Sequence, residues 1–548
     1  MRISALPVAF FLLFVCVAII VSYWVGGFYW NGLAVGAVSL AACLLLRNAL
    51  KDFDLDIPAA ALFFACIAGL LALYPVLFVT PGYLGSADSM HIVHVRLLGE
   101  RAPVDYQPYS PLGLHYFLGF TFIGKMFVGL FPFMFDNFAL ALLGGLMVAV
   151  QSILVFLIAK HLGGSDDAGI LASLLFTGTK YAFQNMYLGL FPELLGTALF
   201  LFLIIAILKG GPLKFIAFPA MVFTHVTPLM FLGFAAFFSL VFLRPALPER
   251  KEMLFWGFAL LLAAPVFPTY HAFLVDGISM NSGNLLAPPE NPLDPASLLT
   301  AALFLGLGPF VVFSLCFALW LSKPALRNRP GMLCLLGIFF SGVLVYLLLR
   351  NSTALFYKTV ELAGLSAIMF SALWLARQDY FPAARLAAYR GPLLAALLAF
   401  MLAGFFSSGV LHSLAQGSKI TPSEAAFSFE FRKAVPERAA TLFVSKGSTP
   451  MAALSDKIPY NVLDGFFVSL VGKSFDPAYP AEQKKSGLQK QIVSGRCASC
   501  IGEADIKYIA APKGFFSGPL PYPIVFEYGG YQVYEKPPPA QQPQIAGG

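Results

Sequence analysis

Charge is what this sequence lacks most. Only 11% of its 548 residues are Asp, Glu, Lys or Arg, and 59% are apolar, whereas a soluble domain is about 25% charged. A water-soluble globular protein is excluded. Porin-type alternation of apolar and polar residues is also missing, which excludes an outer-membrane barrel. No Walker A loop is present, so an ATP-driven pump has no support, and no repeat period of the solenoid kind emerges. Cysteine is scarce. Of seven, Cys16, Cys43, Cys66, Cys316 and Cys334 fall in apolar segments and read as packing residues. Only Cys497 and Cys500, in "RCASC", lie in polar sequence. One CxxC cannot supply four zinc ligands, so a local disulfide is the expectation if this region faces an oxidising compartment. The first apolar segment lacks a small-residue cleavage site and is followed at once by another, so it reads as a retained helix.

What the chain has instead is long apolar runs. They read as a polytopic α-helical membrane protein with roughly thirteen spans: Leu6–Val25, Phe28–Leu46, Pro58–Val79, Phe138–Ala159, Ala168–Phe183, Leu194–Leu208, Phe215–Thr227, Pro228–Leu243, Met253–Val275, Leu298–Leu321, Met332–Leu349, Thr359–Leu375 and Pro392–Leu411. The net charge of +7 is a topology signal, not a nucleic-acid one. If Leu112–Phe133 is an interfacial helix, the lysines and arginines of the alternate loops (Arg47/Lys51, Lys160, Lys209/Lys214, Arg250/Lys251, Lys323/Arg327, Arg377/Arg390) share one side, which the positive-inside rule makes cytoplasmic. The expected organisation is a membrane domain over 1–412 with a large first outer loop at 80–137, an extracytoplasmic α/β domain over 413–536, and a disordered tail over 537–548. Within the second, "SEAAFSFEFRKAV" reads as a helix, "ATLFVS" and "IKYIAAP" as strands, and "PIVFEYGGYQVYEK" as a hairpin turning at Gly529–Gly530. The expected location is the plasma (inner) membrane.

Ionisable residues gather at span ends and in the outer loops. "TPGYLGSADSMHIVHVRLLGE", from Thr80 to Glu100, carries Asp88, His91, His94 and Arg96 directly after a span, and Asp105 follows in the same loop. Asp88 at a helix start also suits an N-cap. Spaced three apart on a helix, Asp88, His91 and His94 share a stripe that would hold a divalent metal with one outside ligand. The alternative is that the histidines hydrogen-bond or contact a ligand; no cofactor is expected. Lys358, in "NSTALFYKTVELAGL", suits a phosphate or a snorkelling anchor, with Arg350 as a second cation and Glu361 one turn further in. Tyr357 fits an interfacial aromatic belt. Glu193, in "YLGLFPELLG", and His225, in "FTHVTPL", are functional suspects as ionisable groups in apolar runs. Their alternatives are a helix cap behind Pro192 and a packed neutral histidine. "DFDLD", at Asp52–Asp56, reads as a solvated charged loop.

A many-span chain with an acidic first outer loop, an interfacial helix after it and an α/β domain at the C-terminus resembles the GT-C superfamily of membrane glycosyltransferases. Asp88, His91 and Arg96 match the start of that family's loop, and "YQPYSPLGLHYFLG" the stretch leading to its interfacial helix. The resemblance implies transfer of a sugar from a polyprenyl-phosphate-type donor to an envelope glycan, lipid or protein acceptor on the outer face. It implies the role of base for Asp88 alone; the residues themselves offer Asp105 in the same loop as the rival base, and His91, His94, Arg96, Glu193, His225, Arg350, Tyr357 and Lys358 as substrate-binding candidates. The chain departs from the pattern in having two spans before the one leading into the loop, and in lacking a WWDYG-type motif. The competing readings are a transporter or flippase of lipid-linked sugar, which favours charges within spans and broken helices, and a non-catalytic glycan-assembly subunit.

Overall fold

The computed structural model describes residues 2–25, 31–53, 56–74, 88–98, 117–179, 183, 185–186, 190–243, 249–270, 306–322, 330–349, 358–376, 390–407, 420–445, 448–460, 479–494, 499–516, 518 and 520–537. Helices dominate. In chain order they are α1 (Leu6–Val25), α2 (Gly32–Leu45, running into a 3-10 helix at Leu46–Phe53), α3 (Ala59–Tyr74), α4 (Asp88–Leu97), α5 (Gly119–Leu130), α6 (Asp136–Gly163), α7 (Asp166–Thr177), α8 (Phe191–Leu208), α9 (Lys214–Val222), α10 (Val226–Phe242) and α11 (Arg250–Leu262). They continue with α12 (Leu307–Leu321), α13 (Pro330–Leu349), α14 (Thr359–Ala376), α15 (Arg390–Ser407), α16 (Pro422–Ala434), α17 (Ser448–Ser455) and α18 (Tyr479–Val493).

Six helical stretches among the described residues are long and apolar enough to cross a membrane: Leu6–Val25, Gly32–Lys51, Asp136–Gly163, Phe191–Leu208, Pro330–Leu348 and Thr359–Ala376. Arg250–Leu262 and Ala264–Tyr270, bent by 41° at their junction, make a seventh if taken as one span. The chain is therefore a multi-pass membrane protein, and the expectation of about thirteen spans is corrected to six or seven among the described residues. The reason is length. An apolar run suffices for a hydropathy window, but a helix rises only about 1.5 Å per residue and the hydrocarbon core is about 30 Å thick. α3 has 16 residues, α7 has 12, α9 has 9 and α12 has 15. Among the described residues these runs form short helices, and the Thr224-His225 break lies inside the run Phe215–Thr227.

α6 is the axis of the bundle. Its 28 residues start with Asp136, end with Lys160 and His161, and stop at Gly164, whose φ of 70° is the left-handed cap that glycine adopts without strain. α3, α7 and α8 pack around it, and α14 lies against α7, α12 and α13. α6, α8 and α14 are buried nearly all round, whereas α11 exposes Leu254, Phe258 and Leu261. Apolar side chains exposed on an outer helix are what a lipid-facing surface requires.

The C-terminal region contains a five-stranded mixed sheet in the order β4-β3-β5-β7-β6. Its strands are β3 (Ala440–Phe443), β4 (Ile458–Pro459), β5 (Tyr508–Pro512), β6 (Ile524–Tyr528) and β7 (Tyr531–Glu535); β1 (Arg2–Ser4) and β2 (Asp56–Pro58) form a separate pair near the N-terminus. β3 runs parallel to β4 and β5, and β7 is antiparallel to β5 and β6. The β6–β7 hairpin turns at Gly529 and Gly530, both with positive φ, as a two-residue turn between right-twisted strands requires. Alternation sorts the sheet's faces. Leu442, Ile509 and Ala511 pack with Ile492 and Ile501. Phe443, Tyr508, Ala510 and Val533 pack with Phe427 and Phe431 of α16 and join the core of the bundle.

Candidate functional site

Four helices begin around one buried ion pair. α8 starts at Phe191 with Pro192 in its first turn, where proline's missing N–H is no loss. Glu193 follows it and is 1% exposed. Lys358, immediately before α14, donates to Glu193 Oε1. His225 caps α10: its Nδ1 accepts from the Thr227 amide at 3.2 Å. A neutral ring therefore carries its proton on Nε2, which lies 3.8 Å from Glu193 Oε1. α5 joins through its first residue, since the Gly119 amide donates to Phe223 O at 3.1 Å. A Cβ at Gly119 would lie 2.9 Å from that same carbonyl oxygen, so the approach requires glycine.

One turn into α14, Glu361 is buried and satisfied. Its Oε1 accepts from Thr197 Oγ1 at 2.8 Å and its Oε2 from Asn185 Nδ2 at 3.1 Å. Thr359 Oγ1 donates to Gly342 O at 2.7 Å and ties α14 to α13. The break between α9 and α10 is held from two sides. The Tyr23 hydroxyl accepts from the Leu118 amide at 2.6 Å and donates to Phe223 O at 3.1 Å. The Tyr270 hydroxyl donates to Val222 O at 3.1 Å. Carbonyls freed by the interruption are thus taken by side chains, as backbone inside an apolar bundle demands.

α4 forms a wall of this site. The His91 ring lies 5.6 Å from Phe120 and 6.2 Å from Phe191 between centroids, and Phe120 stacks on Phe191 at 5.4 Å. His91 and His94 are both buried. Burial, and after it the charge of His225, pushes the His91 imidazole down to about 3. Burial and the neighbouring His91 push His94 well below its usual range. Both rings are neutral at physiological pH.

Two oxygens at this site have no hydrogen-bond partner among the described residues: Glu193 Oε2 and Thr227 Oγ1. Glu193 and Thr227 are each only 1% exposed. An unpaired buried polar atom costs about 1–3 kcal/mol, so both are sites where an added donor or acceptor would be stabilising. Thr197, Asn185 and Glu361 complete the cluster without having been singled out as site residues by sequence; a carboxylate three positions after Lys358 was the available signal. Glu193, His225 and Lys358, which were singled out, are brought together. Arg96 turns to other partners: Asp136 Oδ2 at 2.5 Å, Ala453 O at 2.5 Å and Asp456 Oδ1 at 3.3 Å. Asp88 opens α4, but its side chain, and Asp105, Arg350, Tyr357 and Cys497, lie outside the described residues. Cys500 is disulfide-bonded. No group of three His, Cys, Asp or Glu comes together in metal-holding geometry among the described residues.

No protein-family model matches this chain, and no curated protein matches it. With six or seven membrane-length helices among the described residues in place of about thirteen, the resemblance to the GT-C superfamily does not hold. The sugar-transfer reaction, the polyprenyl-phosphate donor and the assignment as a glycosyltransferase go with it, because each rested on that fold. Asp88 and Asp105 lose the family that implied their roles as base.

Proposed function

We propose that this multi-pass membrane protein binds the anionic headgroup of a membrane amphiphile at the cluster of Glu193, His225, Thr227 and Lys358, with His91 and His94 on the wall. The observation that carries this reading is the convergence of the starts of α5, α8, α10 and α14 on the Lys358–Glu193 pair. Helix N-termini present unsatisfied N–H groups and a positive dipole end, and both favour an anion. Lys358 adds a cation shared with Glu193 Oε1, and Glu193 Oε2 is an acceptor for a donor on the same headgroup, such as a hydroxyl. Ionisable groups inside a membrane bundle are expensive and mark sites of binding or transport by default.

The test is equilibrium binding of phosphatidylglycerol to the full-length protein in phosphatidylcholine nanodiscs. Lys358→Met combined with Glu193→Gln removes both charges at little change in shape, which keeps the bundle free of a lone buried ion. The expected result is saturable binding to the wild type and at least a tenfold loss in the double variant, the effect of about 1.4 kcal/mol. Equal binding by the two proteins would remove the site.

A further inference from the structure

Arg96 is where the membrane bundle and the C-terminal region meet. It stands on the last turn of α4, is 8% exposed, and reaches three groups: one on α6, one on α17 and one in the turn just after α17. Its Nε donates to Asp136 Oδ2, at the start of α6, at 2.5 Å. Its Nη1 donates to Ala453 O at 2.5 Å and Asp456 Oδ1 at 3.3 Å. Ala453 O belongs to the last turn of α17, where carbonyls lack intrahelical donors and the dipole is negative. A guanidinium suits this position, because its fork can serve several acceptors at once.

The acceptors are shared with the C-terminal region's own cations. Asp456 Oδ2 accepts from Arg438 Nε at 3.1 Å, and Arg432 of α16 lies 3.5 Å from Asp136 Oδ2. Asp456 is the non-glycine residue with positive φ, 57°, among the described residues. A glycine there would relieve the backbone, so the carboxylate is what the position gains. An apolar contact adjoins the polar one: Phe429 of α16 lies 4.5 Å from Phe135 and 6.3 Å from Phe138 at the start of α6. Lys125 Nζ donates to Arg96 O at 3.2 Å and closes the end of α4 from below.

We infer that Arg96 is a positioning residue: through it the C-terminal region clamps α4, and so holds His91 against Phe120 and Phe191 at the wall of the ligand site. The clamp stands on geometry alone, while its effect on the ligand rests on the headgroup-binding reading. Loss of either partner leaves a charge buried without its counter-charge, so α4 and α17 loosen together. The sheet-bearing region is then a structural part of the membrane site, not an appended module.

The experiment is hydrogen exchange on the full-length protein in nanodiscs, with phosphatidylglycerol binding measured in parallel. Arg96→Ala removes the fork. Asp456→Asn is the gentler variant, because asparagine tolerates the left-handed backbone and nearly the same shape. Both are expected to speed exchange at least tenfold in 92–97 and in 449–455 together, the effect of about 1.4 kcal/mol, and to weaken lipid binding. Combined, they should add little to Arg96→Ala alone, since that variant already breaks the Arg96–Asp456 contact. Thr421→Ala is the control. It removes the capping box of α16, so exchange should rise in 422–434 with lipid binding unchanged. Exchange in 92–97 that stays at the wild-type rate in both Arg96→Ala and Asp456→Asn would overturn the inference. Coupled loosening in a protein whose wild type binds no phosphatidylglycerol would uphold the clamp and reject the headgroup reading.

Discussion

At the scale of single residues, the central feature is a lysine and a carboxylate buried against each other. Removing only one leaves the other uncompensated, which typically destabilises by about 3–5 kcal/mol. Lys358→Met alone should therefore lower thermal stability sharply, and adding Glu193→Gln should recover most of the loss; equal stability of the single and double variants would mean the pair is not buried as described. A second prediction concerns acid. His91 is held neutral down to about 3 and His94 is displaced in the same direction, while an unfolded histidine titrates near 6.5. Below 6.5 the unfolded chain binds the extra protons, so stability is full above that pH and falls as pH drops toward 3. Each imidazole contributes up to about 1.4 kcal/mol per pH unit. Melting temperatures between pH 7.5 and 4.5 should show the decline, and His91→Phe should flatten it. Glu193, His225 and Lys358 were legible as candidates because a charge in an apolar run is conspicuous. Asn185 and Thr197 were not, since small polar residues in apolar helices usually bond to their own backbone. Asp136 and Asp456 were not, since they reach Arg96 from 40 and 360 positions away.

At the scale of elements, the interruption between α9 and α10 matters most, because it makes α10 begin beside Glu193. Tyr23 and Gly119 hold it. Tyr23→Phe deletes two hydrogen bonds and takes the acceptor from the Leu118 amide, while Phe223 O keeps the Gly119 amide; the loss is about 1–3 kcal/mol for the unsatisfied group. Gly119→Ala puts a methyl 2.9 Å from a backbone oxygen that cannot swing away, with a cost of about 1–3 kcal/mol. Thermal unfolding in detergent should show both, and unchanged midpoints would mean that the break is held by other contacts. Hydropathy saw this segment as two spans, because the apolar content on either side of Thr224-His225 is high and composition carries no signal of helix length. The same limit inflated the span count through α3, α7 and α12. The hairpin at Gly529–Gly530 was readable because a Gly-Gly pair between alternating strands has few other uses. The capping box at Thr421 and Glu424, of the Ser/Thr-x-x-Glu kind, was equally open to reading.

At the scale of the molecule, the sheet-bearing region shares a continuous core with the bundle and reaches α4 through Arg96. The extracytoplasmic position expected of this region from sequence is open to a direct test: a cysteine placed at Tyr531 in a cysteine-free background should then react with an impermeant reagent from outside. Reaction of Tyr531Cys only after permeabilisation would reverse the orientation. The proposal itself is narrower, that the cluster around Lys358 and Glu193 holds an anionic headgroup. Lipid mass spectrometry of the full-length protein, purified in a neutral detergent, tests it most directly. An anionic, hydroxyl-bearing amphiphile should be retained by the wild type after delipidating washes and lost from Lys358→Met/Glu193→Gln. Retention of the same anionic lipids by both proteins, or of neutral lipids only, would contradict it.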